Sequence, residues 1–388
     1  MEKKLKKSKG ITLVALVITI IILLILAGIS ISALTQTGIF GKAKQAEQKS
    51  KDAQEKENTT LGTYENEINE YLGENPGVEQ NKPSGEKLVA NNIGKVLSTT
   101  ENIELEDINR NKIVVPAGFK IISDSTTENA TTVDKGIVIE DATETATKGS
   151  QFVWIPVGKI TKADGTKTTV TLGRYDFLEN GTAIEYIENY VEEDTNDSST
   201  LKNIKGKSIA KNITNFKNSV ATNGGYYIGR YEARTTTERT KKEDELTQIT
   251  EKGTDYVYNY VTQMQAASKA QGMYDSDKFT SDLMNSYAWD TATLFLQSCG
   301  TNPKYSRQTG LNKSFSQTGT ANDKQCNVYD MASNIKEWTT ETFDSSSHPC
   351  VGRGGTYGGN DVYTTSYRSY NLTSGSYDYF GFRPLLYL

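Results

Sequence analysis

The chain has 388 residues, with 43 Lys and Arg against 48 Asp and Glu, one histidine and three cysteines. This mildly acidic balance, with its basic residues concentrated at the start, gives no nucleic-acid-binding face. The lone His348 excludes a multi-histidine metal site and a hydrolase triad drawn from several histidines.

The first segment carries Lys3, Lys4, Lys6, Lys7 and Lys9, and an uncharged apolar run follows over residues 11–34. As a helix that run is long enough for a hydrocarbon core of ~30 Å, and lysines ahead of it predict a cytoplasmic N-terminus with the remainder outside. Residues 35–72 are rich in Lys, Glu, Gln and Ala and predict a helical stalk. Residues 73–112, opening with Pro76 and Pro83 among glycines and polar residues, predict a linker.

Residues 113–388 are expected to form one folded domain, being long enough for a single sizeable core. Strand-like apolar runs occur at 113–121, 136–141, 149–160 and 224–234. Two charge-rich stretches, 189–208 and 235–253, read as surface insertions without chemistry. Helices are expected over 255–270, with Val257, Val261, Met264 and Ala267 on one face, and over 281–297, with Leu283, Tyr287, Ala288, Thr291 and Phe295 on one face and Ser281 as cap.

Two resemblances organise these pieces. The basic leader, Gly10 and the apolar run from Ile11 resemble the N-terminus of type IV prepilins, which implies cleavage after Gly10 by a prepilin peptidase, methylation of Ile11, and membrane lipid or pilus subunits as partners of the helix. Ala15 departs from the pattern, since most pilins carry glutamate there, and a plain single-pass anchor is the alternative.

The second resemblance rests on NVYDMASNIKEW (327–338), GRGGTY (352–357) and GFRP (381–384), in that order, with FVWIP and YYIGRYE strands upstream. Together these resemble the formylglycine-generating enzymes, or sulfatase-modifying factors. The implied fold class is α+β: a C-type-lectin-like domain with long ordered loops, here preceded by a transmembrane or pilin-like helix and stalk.

That resemblance implies a structural Ca²⁺ held by the side chains of Asp330 and Glu337 and the carbonyls of Ser333 and Ile335, oxygen ligands that suit a hard cation. The alternative is that Asp330 caps a turn while Glu337 pairs with an arginine such as Arg353. Arg353 and Arg383 are expected to tie loops together, and Trp289 to be buried. The family's two copper-binding cysteines correspond to Gly359 and Thr364, neither of which supplies a thiolate, so no copper and no oxidase chemistry are expected. Cys299, Cys326 and Cys350 lie outside that interval and allow at most one disulfide, with Cys299 and Cys326 one possible pair.

The interval is rich in tyrosine instead. Tyr357, Asn360, Asp361, Tyr363, Tyr367, Tyr370, Asn371, Tyr377 and Tyr379 have the composition of an antibody paratope, rigid amphipathic rings beside adaptable polar groups. In related lectin-fold proteins diversified by retroelements this stretch carries the variable ligand-binding residues. The expectation is a surface-anchored, non-catalytic adhesion protein that presents this face to an extracellular protein or glycan. The alternatives are an enzyme of altered chemistry and a minor pilin subunit.

Overall fold

Gln151–Pro156 is buried at every position and bonds on both sides, to Gly225–Gly229 and to Val138–Asp141, which is why its apolar run is continuous rather than alternating. This computed structural model describes residues 85–388, apart from 124–130, 144, 186–188, 193–211, 236, 242–255, 275, 311–313, 315–316, 321, 344–346 and 359–361. The sheet around Gln151–Pro156 has six antiparallel strands in the order Thr280–Leu283, Pro384–Tyr387, Gly225–Gly229, Gln151–Pro156, Val138–Asp141, Phe119–Ile122. Trp154 packs against Tyr227 with ring centroids 4.9 Å apart, and each such buried ring stabilises the core by about 1.5–3 kcal/mol.

Helix Ser286–Cys299 packs on this sheet, fastened where the Tyr226 hydroxyl donates to the Ala288 carbonyl at 2.7 Å. Asn285, not Ser281, caps it, its side chain accepting from the Ala288 N–H. Residues 281–283, expected as its first turn, belong instead to the strand Thr280–Leu283, which pairs with Pro384–Tyr387. Likewise the helix expected from 255 begins at Gln263, where Thr262 and Gln265 form a capping box, while Tyr256–Val257 pairs with Arg234–Thr235. A third helix, Ile213–Asn223, was not foreseen. It has local signals: Asn212 caps it, Ile213, Phe216 and Val220 share its buried face, and Gly224 closes it at φ 73°.

The expected α+β class with an anchoring helix is corrected here. The described residues are mostly β, with three α-helices of 11, 9 and 14 residues, and no helix among them is long and apolar enough to cross a membrane. The expected location, a single-pass or pilus-associated surface protein, is corrected with it: no helix among the described residues is long and apolar enough to cross a membrane. The residues it was read from, 11–34, the stalk 35–72 and the processing site Gly10–Ile11, lie outside the described residues. A compact unit runs from Lys82 to Leu388, and Ile103–Glu106, within the expected linker, is a strand paired with Lys112–Val115.

A second sheet positions the C-terminal motifs. Its central strand Lys336–Phe343 pairs antiparallel with Tyr190–Val191 and Cys350–Arg353, and parallel with Phe380–Phe382, while Arg368–Asn371 extends it beyond Cys350–Arg353. Glu337 therefore faces Arg353 on one side and Gly381 on the other, so all three motifs meet at one register position.

Candidate functional site

Charge chemistry beneath the sheet fixes the site's floor. Arg383, fully buried, grips Glu337 through two bonds, Nη2 to Oε1 at 2.6 Å and Nε to Oε2 at 3.0 Å, and its remaining donors reach the carbonyls of Gly229 and Tyr329. Arg353 pairs not with Glu337 but with Asp290 and Glu341. Arg368 joins the same two carboxylates, and Arg174 adds a 2.7 Å contact to Glu341. Burial by itself would raise the Glu341 carboxyl, but Arg368, Arg353 and Arg174 together hold it down at about 2.

The turn between Asp330 and Glu337 is held by two buried carboxylates. Asp323 accepts from the Ala332 N–H, the Ser333 hydroxyl and the Tyr305 hydroxyl, and Glu232 accepts from the Asn334 amide at 2.6 Å. Gly355 lies so close to this turn that a Cβ would meet the Ala332 carbonyl oxygen at 1.9 Å, which accounts for the last glycine of the GRGGTY motif. Asp330 Oδ2 accepts from the Gly319 N–H at 2.6 Å, while its buried Oδ1 has no hydrogen-bond partner. Burial, and then the charge of Asp323, raise the Asp330 carboxyl well above its ordinary value. Burial likewise raises Glu232, reinforced by Asp330 and Glu337.

Of the four residues expected to hold calcium, only Asp330 keeps a carboxylate oxygen without a hydrogen bond; both Glu337 oxygens are engaged by Arg383. Ser333 and Ile335 are buried in the same turn. No group of three or more His, Cys, Asp or Glu side chains placed to hold a metal occurs among the described residues.

Above this floor the tyrosines of the C-terminal stretch come together. Tyr377 and Tyr379 stack at 5.1 Å with planes 10° apart, Tyr363 meets Tyr367 edge-on at 5.0 Å, and Tyr370 lies flat on Phe343 at 4.5 Å. Lys336 and Phe380 join the first two pairs: Lys336 lies over the Tyr363, Tyr367 and Phe380 rings, and Phe380 packs against Tyr377 and Tyr379. Tyr370 is 53 % exposed, and Val362 and Leu372 of the same stretch are 60 % and 42 % exposed. Asn371 donates to the Ser369 hydroxyl. Asn360, Asp361 and Gly359 lie outside the described residues, whereas Thr364 is buried and bridged to Thr309.

Lys336 enters this face from below, 5 % exposed, with Nζ 3.7 Å from the Tyr363 ring centroid and 5.5 Å from that of Tyr367. Burial pushes its pKa down to about 8. At the Tyr357 end a cavity of about 220 Å³ opens, lined by Glu238, Asn259, Tyr260, Tyr357 and Asp378 among others. The Tyr357 hydroxyl donates to Asp378 Oδ2 at 2.8 Å; burial, and then that bond, push it up to about 12. Sequence reasoning missed Lys336, Glu238, Asn259, Tyr260 and Asp378. Only Asp378, between two foreseen tyrosines, carried a local signal.

The three cysteines are free, so the possible Cys299–Cys326 disulfide is not formed. Burial pushes the Cys299 thiol up to about 11 and the Cys350 thiol up to about 12, which makes both poor nucleophiles. His348 sits half-buried near the Tyr370 ring.

No family model and no curated protein matches this chain. Among solved structures, that of CarF is similar at 13 % identity and a TM-score of 0.29, over 42 % of this chain and 86 % of the other. Variable protein 1 of Treponema denticola is similar at 15 % identity and a TM-score of 0.27, over 63 % of this chain and 98 % of the other. At TM-scores this low neither likeness carries an argument about this protein.

Proposed function

We propose that the domain is a non-catalytic ligand-binding module, a relative of the sulfatase-modifying factors that lacks their cysteine pair and recognises a protein or glycan through its tyrosine face. The observation that carries this reading is that one C-terminal stretch exposes Val362, Tyr370 and Leu372 and also carries the paired rings of Tyr363 with Tyr367 and of Tyr377 with Tyr379. Surface of this kind marks interaction sites, and tyrosine supplies contact area with little rotamer entropy to lose.

The test is a glycan and protein array probed with the full chain and with a variant carrying Tyr363→Ala, Tyr367→Ala and Tyr370→Ala. Hits are expected for the parent chain and a loss of at least about tenfold in their affinity for the variant. Unchanged hits would remove the reading.

A structural calcium belongs to the proposal at Asp330, with the carbonyls of Ser333 and Ile335 and without Glu337. Chelation is then expected to lower Tm, by an amount equivalent to about 2.7 kcal/mol if free calcium stood at a hundred times Kd, and Asp330→Asn to abolish the difference. A Tm indifferent to chelator would exclude the ion.

A further inference from the structure

The cavity beside Tyr357 is small. At about 220 Å³ it falls below the roughly 300–1,000 Å³ of sites that enclose drug-sized ligands, so it takes one residue-sized group rather than a chain. Its walls combine aromatic faces with acceptors. Tyr256, Tyr260 and Tyr357 line it, and the charges of Asp378 and Glu238 are both felt at the Tyr260 hydroxyl.

Its charged lining is two carboxylates, Glu238 and Asp378, and one guanidinium. Arg239 also lines it, but this guanidinium is only 2 % exposed and is turned into the floor, donating to the Asn259 carbonyl at 2.8 Å and the Tyr260 carbonyl at 3.0 Å. The Asn259 amide nitrogen donates to the Asp378 carbonyl at 3.0 Å, and its Oδ1 accepts no hydrogen bond from the described residues. Glu238 is exposed at the mouth. Tyr260 is held at φ 50°, an uncommon conformation for an aromatic residue, by its N–H bond to the Tyr377 carbonyl, and strain of this kind gathers at ligand clamps.

Flat ring faces beside several carboxylate and amide oxygens suit a ligand with one apolar face and a rim of hydroxyl donors. An anion would meet Glu238 and Asp378; both Asp378 oxygens are already engaged, by the Tyr357 hydroxyl and the Tyr379 N–H, which leaves Glu238 and the Asn259 amide oxygen as acceptors for ligand hydroxyls. We infer that the cavity bounded by Glu238, Asn259, Tyr260, Tyr357 and Asp378 is a subsite for a single neutral hexose, its ring packed on tyrosine and its hydroxyls donating to Glu238 and Asn259. This rests on the binding reading above and makes the ligand of the tyrosine face a glycan, seated at one end by a single sugar.

The experiment is saturation-transfer NMR on the full chain with the methyl glycosides of glucose, galactose and mannose and with N-acetylglucosamine, and with Nα-acetyl-lysine amide as the cationic probe. At least one sugar is expected to bind at millimolar concentration without calcium, and Glu238→Ala and Tyr260→Ala each to weaken it roughly tenfold or more. Glu238 is exposed, so its variant remains informative if the Tyr260 variant does not fold. Binding of the lysine probe alone, binding of no probe, or sugar binding untouched by Glu238→Ala would overturn the inference. An array hit lost with Tyr363, Tyr367 and Tyr370 but indifferent to Glu238→Ala would leave the tyrosine face standing and remove only the hexose subsite.

Discussion

Three arginines converge on Glu341, and the arrangement sets how this protein responds to acid. The carboxyl is fully buried, so it is tolerable as a charge only because Arg174, Arg353 and Arg368 surround it. Its folded pKa of about 2 lies below the ordinary 4.5, so its contribution to stability is complete above about pH 4.5 and is lost as pH falls from there through 2. Glu341→Gln is expected to destabilise the fold by roughly 3–5 kcal/mol at neutral pH, because it leaves buried guanidinium charge uncompensated. Urea unfolding at a series of pH values should show the gap between parent and variant narrowing below pH 4.5; a gap that stays constant would mean the glutamate is not ionised in the fold.

At the scale of elements, boundaries followed contacts distant in sequence. Residues 281–297 carry helical spacing throughout, yet 280–283 became a strand because the last strand of the chain lies beside it. Pro384–Tyr387 fills the gap between Thr280–Leu283 and Gly225–Gly229, so it closes the six-stranded sheet rather than decorating its edge. Deleting residues 384–388 is therefore expected to prevent folding, seen as loss of the cooperative thermal transition by circular dichroism, because it strips a buried strand and exposes two edges. A truncated chain with a parent-like Tm would contradict the topology. Helix Ile213–Asn223, by contrast, was readable from local chemistry alone, with its Asn212 cap, its apolar spacing and its Gly224 terminator.

Across the whole molecule, the second sheet explains why motifs far apart in sequence act together. Register places Glu337 between Arg353 and Gly381, the arginines below lock that sheet, and the tyrosines of the following loops spread over its edge. The composition of the C-terminal stretch set the expectation of a tyrosine face, and the folded chain pairs Tyr363 with Tyr367 and Tyr377 with Tyr379; recognition by that face is the proposal. The family resemblance set the expectation that Trp289 is buried and that Arg353 and Arg383 tie the core together, and all three are buried. The hexose subsite was not legible, since Glu238, Asn259 and Tyr260 come from a segment more than ninety residues before Tyr357 and only the folded chain brings them together. Sequence by itself thus determined which side chains are chemically suited to core and to contact. The tertiary structure decided their partners, giving Glu337 to Arg383 and Arg353 to Asp290 and Glu341, because a buried charge pairs with whichever counterion the strand register and the approaching helix place within hydrogen-bond reach.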